Sequence, residues 1–184
     1  MNDKELTWTT KETKQLCHTR VFDVIEQTEV SGTGLKENYV AMEAPGWVVV
    51  AAVKDGCFVL VRQYRHGEGR LTVEFPGGVM DEGEKPEETA RRELLEETGF
   101  EIGKLTFLGC CSPNPALFKN HFYCFLAEDL TQTGKQHLDA DEFLNYELRP
   151  IPEVIASFGN EEFTHAFMGT TLAFYFRHLG YVPA

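Results

Sequence analysis

"GGVMDEGEKPEETARRELLEETGF", residues Gly77–Phe100, decides how the rest of the chain is read. Pro86 suits a first helical turn, Glu87 and Glu88 favour the positive end of a helix dipole, and Gly99 is a C-cap candidate. The spacing predicts one helix from Pro86 to about Gly99. At about 100° per residue, Glu96 lies about -60° and Glu97 about +40° from Glu93, so three carboxylates leave one face. Like charges at this spacing cost a helix roughly 0.2–0.5 kcal/mol per pair. Arg92 can offset part of that by pairing with Glu88 or Glu96. A hard cation reverses the sign, because Mg²⁺ takes carboxylate oxygens, waters and substrate phosphates as ligands. A solvated acidic face is the plain alternative. Against it, Gly77-Gly78 permits a tight turn before the helix, whose carbonyl can join the carboxylates. Ala90 and Leu94 also supply a packing side that fixes the helix roll.

Working outward, "TRVFDVIEQTEV" (Thr19–Val30) alternates and is β-branched, which predicts a strand. "SGTG" turns the chain into "KENYVAMEA" (Lys36–Ala44), its hairpin partner. Residues 1–16 are polar and read as a loosely attached tail. "WVVVAAV" (Trp47–Val53) is a continuous apolar run, expected of a strand buried on both faces. "CFVLVRQYR" (Cys57–Arg65) and "LTVEF" (Leu71–Phe75) precede the acidic helix. "KLTFLGCC", "HFYCFLAED" and "DEFLNYELRPI" follow it as strands, with "SPNPALFKN" as a loop. "PEVIASF" and "THAFMGTTLAFYFRHLG" close the chain as helices. Mixed strands with one central helix and closing helices define an α/β layered domain.

The formal net charge of -12 over 184 residues argues against nucleic acid or an anionic membrane as the main partner. It leaves room for an anionic small molecule bridged by a cation. Five cysteines, odd in number and without C-x-x-C spacing, fit reduced thiols in a cytoplasmic protein. No apolar run approaches the ~20 residues of a membrane span. The six histidines lack metal-motif spacing; His66, beside Arg65, reads as a surface residue.

Gly78, Glu84, Arg92, Glu93, Leu94, Glu96, Glu97, Gly99 and Phe100 occupy every fixed position of a 23-residue pattern, the Nudix box. The chain resembles the Nudix hydrolases from roughly Gly46 to Leu179. The resemblance implies a Nudix fold, an α/β/α sandwich around a mixed β-sheet, preceded by a small N-terminal β-hairpin subdomain. Its division is residues 1–45 (tail and hairpin, a candidate dimerisation arm) and 46–184 (hydrolase domain). It also implies cleavage of a nucleoside diphosphate linked to another moiety with Mg²⁺ or Mn²⁺. By position, Glu93 and Glu97 are metal ligands, with Glu96 close by and the Gly77 carbonyl as a further ligand. Arg92 would orient the cluster by pairing with a carboxylate such as Glu84.

"VLVRQYR" followed by "VEFPGG", with Pro115 sixteen residues after Gly99, resembles the ADP-ribose and ADP-sugar pyrophosphatases. "PNPALFKN" departs from that subgroup's usual substrate loop, and Phe118 can reshape the pocket. The likeness implies that Arg65 contacts the nucleotide and Glu74 sits beside the site. It also implies homodimers, in which an N-terminal aromatic, here Phe22 or Tyr39, stacks on adenine. Plain strand packing is the alternative for both aromatics. The general base is assigned to Glu142 in "DADEF", with Glu161 and Glu162 as rivals. The competing readings are a different Nudix substrate (dinucleoside polyphosphate, NADH, a GDP-sugar, capped RNA), a non-catalytic nucleotide-sugar sensor, and an isopentenyl diphosphate isomerase.

Overall fold

The structure is a computed structural model that describes residues 2–134, 136–138, 140 and 142–181. It divides into two compact units, Met1–Pro45 with Ser112–His121, and Gly46–Cys111 with Phe122–Ala184. In chain order the elements are α1 (Asp3–Leu6), β1 (Trp8–His18), β2 (Asp23–Ser31), β3 (Lys36–Glu43), β4 (Trp47–Lys54), β5 (Cys57–Arg65), β6 (Arg70–Glu74), α2 (Pro86–Thr98), β7 (Phe100–Glu101), β8 (Lys104–Cys111), β9 (Phe122–Glu128), β10 (Thr131–Gln132), β11 (Leu144–Pro150), α3 (Ile151–Ser157) and α4 (Ala166–His178). Among the described residues no helix is long and apolar enough to cross a membrane.

The larger unit is built on a sheet of order β11-β5-β4-β9-β8, with β6 paired to β5. β4 and β9 run parallel and the other ladders of this sheet antiparallel, so the sheet is mixed. Successive strand residues face opposite sides, and both sides are covered. Val48, Val50, Ala52, Val59 and Phe125 pack under Ala90 and Leu94 of α2. Val49, Ala51, Phe58, Leu60 and Leu126 pack under Val154 of α3 and Met168, Leu172 and Tyr175 of α4. The result is the expected α/β/α sandwich. β4, central and apolar at every turn, is the strand both helical layers need.

Cys124 lies in the second of these cores, wholly buried, with the Thr171 hydroxyl 3.1 Å from its sulfur. Burial pushes its thiol up to about 12. None of the five cysteines is paired. A thiol reagent at pH 8 is therefore expected to modify exposed Cys17 and Cys110 in the native protein and to reach Cys124 only in denaturant. Equal rates at all five under native conditions would contradict this packing.

In the smaller unit the expected hairpin is a three-stranded antiparallel sheet of order β1-β2-β3. The tail predicted over residues 1–16 is corrected: α1 and most of β1 occupy it. All eleven residues of β1 are exposed, so burial leaves no alternation to read. The backbone ladder to β2 holds it, with register shifts at Thr10/Glu12 and Gln15/Cys17. β2 begins at Asp23, so Phe22 falls in the turn before it rather than in a strand. Residues 112–121 interrupt the continuous 46–184 body and join this unit. There the Met42 N–H donates to the Leu117 carbonyl at 2.7 Å and the Lys119 N–H to the Met42 carbonyl at 3.0 Å.

Candidate active site

The segment before α2 is stitched along β4. The Val48 N–H donates to the Gly78 carbonyl (2.9 Å), the Val50 N–H to Pro76 (2.8 Å) and the Met80 N–H to Gly46 (2.9 Å). This brings Gly77 so close to β4 that a Cβ on it would lie 2.1 Å from the Val48 carbonyl oxygen, and its φ is +152°. Gly78 is held open for another reason: its Cβ would fall 2.3–2.6 Å from the carboxyl atoms of Glu93. α2 then starts at Pro86, with the Glu88 carboxylate accepting the Lys85 N–H at 3.0 Å. It ends at Gly99, left-handed at φ 74°, whose N–H closes on the Leu95 carbonyl.

On this frame Glu84, Glu93 and Glu96 gather around Arg92, and Glu97 turns to the Gly77 loop. The guanidinium donates twice to Glu84 (3.0 and 2.9 Å), to Glu93 (2.8 Å), to Glu96 (3.1 Å) and to the Val79 carbonyl (3.1 Å). Glu84 also accepts from the Asp81 N–H and the Thr89 hydroxyl. Arg92 above all, then these donors, holds its carboxyl down to about 2. Glu97 is 1% exposed and accepts the Gly77 N–H at 2.9 Å. Burial, then the charges of Glu93, Glu142 and Glu74, hold its carboxyl well above the usual range, with the Gly77 bond opposing. Burial likewise pushes Glu93 up to about 7, Arg92 opposing and Glu96 and Glu142 adding.

A divalent cation suits this donor set. Two carboxyls resist ionising because burial strips them of water, and oxygen is the donor hard cations take. Gly78 keeps clear the space that a side chain would fill against Glu93. Among the described residues no three His, Cys, Asp or Glu side chains are gathered closely enough to hold a metal ion as they stand. Arg92 bridges Glu93 and Glu96 instead. Lysine cannot reproduce this fork. Arg92→Lys is expected to lower kcat/KM by about tenfold to a hundredfold, read from initial rates. Unchanged kinetics would remove Arg92 from the site's assembly.

Arg65 and Glu74, predicted separately, are partners. Nε and Nη2 of Arg65 donate to the two Glu74 oxygens at 2.7 and 2.9 Å. Burial pulls the Arg65 pKa down, but the Glu74 bonds and charge overcome it, so it stands raised. The charges of Glu97 and Glu142 add to this upward shift. Glu142 is half-buried. It lies two residues before Leu144, where β11 begins and pairs with Gln63 of β5. Its neighbours at 139 and 141 lie outside the described residues.

Of the rival bases, Glu162 is tied to Arg62 (2.7 Å) and Arg149 (2.8 and 2.9 Å), and Arg149 chiefly lowers its pKa. Glu161 is exposed. His66 is exposed, its ring edge-on to Tyr64 at 5.2 Å. Phe22, Tyr39 and Pro115 belong to the smaller unit, where the Tyr39 ring meets Trp8 edge-on at 5.3 Å. One participant had no sequence signal: His165, whose Nε2 stands 3.4 Å from Glu74.

Comparison with known proteins identifies the class to which this fold belongs. The NUDIX domain family model matches residues 42–167. The chain belongs to the Nudix family of hydrolases. It is 38% identical over 135 residues to the ADP-ribose pyrophosphatase of Bacillus subtilis (strain 168), covering 71% of this chain and 72% of that one. It is 34% identical over 107 residues to the ADP compounds hydrolase NudE of Escherichia coli (strain K12), covering 58% and 53%. A solved structure of an ADP compounds hydrolase superposes with a TM-score of 0.82 at 26% identity, covering 95% of this chain and 97% of that one. Nudix hydrolases generally use divalent metals.

Proposed function

We propose that this Nudix hydrolase cleaves the pyrophosphate bond of ADP-ribose, or of a related nucleoside diphosphate sugar, with Mg²⁺ or Mn²⁺. Water adds across the phosphoanhydride, giving AMP (or the corresponding NMP) and a sugar phosphate. The observation that carries this reading is the carboxylate face of α2, where Arg92 bridges Glu93 and Glu96 and the buried Glu97 carboxyl accepts the Gly77 N–H.

Glu93, Glu97 and Glu96 would hold the cation, with the Gly77 carbonyl as a further ligand. When bound, the cation neutralises the diphosphate and makes a water more acidic. The other roles belong to the chain. Glu74 takes Nε and Nη2 of Arg65, leaving Nη1 as the donor for the nucleotide's phosphate. Glu142 takes the proton from the attacking water. Phe22 or Tyr39 stacks on the base, and Pro115 borders the substrate. Residues 1–45 act as a dimerisation arm of a homodimer and 46–184 as the hydrolase domain. Five unpaired cysteines suit a cytoplasmic setting.

The test is a substrate panel with MgCl₂ and chromatographic detection of nucleotides. ADP-ribose should rank first and yield AMP. A higher kcat/KM for NADH, a diadenosine polyphosphate, a GDP-sugar or NAD-capped RNA would reassign the substrate. No turnover of any of them would favour a sensor. Light scattering after size exclusion reads the dimer.

A further inference from the structure

We propose that His165 is a positioning residue: by holding one oxygen of Glu74, it sets the guanidinium of Arg65 for an anionic substrate. The inference rests on the reading of Arg65 given above.

Among the described residues β6 has β5 as its one strand partner. Along its other edge the Val73 N–H donates to the Glu162 carbonyl at 2.8 Å, so the chain between α3 and α4 runs beside this strand and delivers His165 to it. His165 is the N-cap of α4: its Nδ1 accepts the Phe167 N–H at 3.2 Å. A neutral imidazole that accepts at Nδ1 carries its proton on Nε2, and Nε2 is the atom 3.4 Å from Glu74 Oε2. The helix cap therefore selects the tautomer whose Nε2–H lies toward Glu74, 3.4 Å from Oε2. Burial first, then Arg65, lowers the His165 pKa, with the charges of Glu74 and Glu68 opposing, in keeping with a neutral ring. Contact with Phe167, ring centres 4.8 Å apart at 63°, fixes the ring plane.

Glu74 is 4% exposed, and both its carboxylate oxygens are engaged by Arg65. Oε1 accepts from Arg65 Nε and the Thr72 hydroxyl (3.3 Å); Oε2 accepts from Arg65 Nη2 and faces His165. Without His165, Oε2 keeps only the arginine, and the carboxylate can pivot about the oxygen Thr72 holds. A bidentate pair turns as a unit, so Arg65 moves with it. Losing the His165 contact is expected to raise KM about five-fold and leave kcat within about two-fold.

Two variants separate this role from helix capping. Asparagine is a good N-cap but too short to reach Glu74, whereas glutamine reaches Glu74 but caps poorly. In the full-length protein with MgCl₂ and ADP-ribose, His165→Asn should keep the wild-type Tm and raise KM about five-fold. His165→Gln should lower Tm by about 2–4 °C and hold KM near wild type. Hydrogen exchange at the Arg65 Nε–H, followed by NMR, should accelerate in His165→Asn and not in His165→Gln. A KM that follows Tm across the two variants, or an Arg65 exchange rate unmoved by His165→Asn, would overturn the proposal. Should the wild-type protein leave ADP-ribose intact, the substrate reading fails, and Arg65 exchange still decides whether His165 positions it.

Discussion

Glu97→Gln is expected to lower the turnover of ADP-ribose by about 10³-fold, roughly 4 kcal/mol of transition-state stabilisation, while leaving the protein folded. Glutamine keeps the shape and the oxygen that accepts the Gly77 N–H, so the loop stays in place. It removes the charge that a cation needs. The same change should stabilise the metal-free protein. Burial raises the folded-state pKa of Glu97 above the ordinary value of 4.5. A carboxyl shifted upward contributes its stability fully below the unfolded pKa and loses it as pH rises toward the folded one. In EDTA at pH 8, Glu97→Gln should therefore melt above wild type, with the difference shrinking by pH 4. Thermal melts at the two pH values check this. A variant that is both slower and less stable at pH 8 would mean that Glu97 supports the fold rather than the chemistry.

The second large effect separates two adjacent glycines. Gly77→Ala puts a methyl group 2.1 Å from the Val48 carbonyl oxygen, at a φ of +152° that side chains rarely adopt. The obstacle is the backbone of the central strand, which cannot swing away. The loop must move instead, breaking its bonds to Val48 and Val50. A loss of about 3 kcal/mol in denaturant melts is expected, with activity falling too. Gly78→Ala meets the end of the Glu93 side chain instead, which can rotate aside. Stability should stay within about 1 kcal/mol of wild type while kcat falls by about a hundredfold or more. Equal melting losses at both positions would contradict the two different neighbours assigned to them.

Legibility from sequence followed locality. β4 could be read because seven consecutive apolar residues have no use except burial on both faces. α2 could be read because Pro86, Gly99, Leu94 and the carboxylate spacing all mark one helix. β1 could not: a strand exposed along its whole length carries no burial period, and its partner in β2 is reached only through the fold. The two-residue strands β7 and β10 are too short for any pattern. Within the site, Glu93, Glu96 and Glu97 share a helix, so geometry alone set them on one face. The joining of Arg65 to Glu74 crosses the β5–β6 hairpin, and the capture of Glu162 by Arg62 and the approach of His165 to Glu74 link elements distant in the chain. Edge pairing and register set them, and neither is visible in one sequence.

The central claim is that the acidic face of α2 exists to hold divalent ions that grip a diphosphate. The most direct measurement is an anomalous difference map from crystals soaked in MnCl₂ with a non-hydrolysable methylene analogue of ADP-ribose. The account predicts a peak within about 2.3 Å of carboxylate oxygens of both Glu93 and Glu97, touching the analogue's phosphonates. A map without that peak, with the analogue bound elsewhere and Arg92 still bridging Glu93 and Glu96, would contradict it.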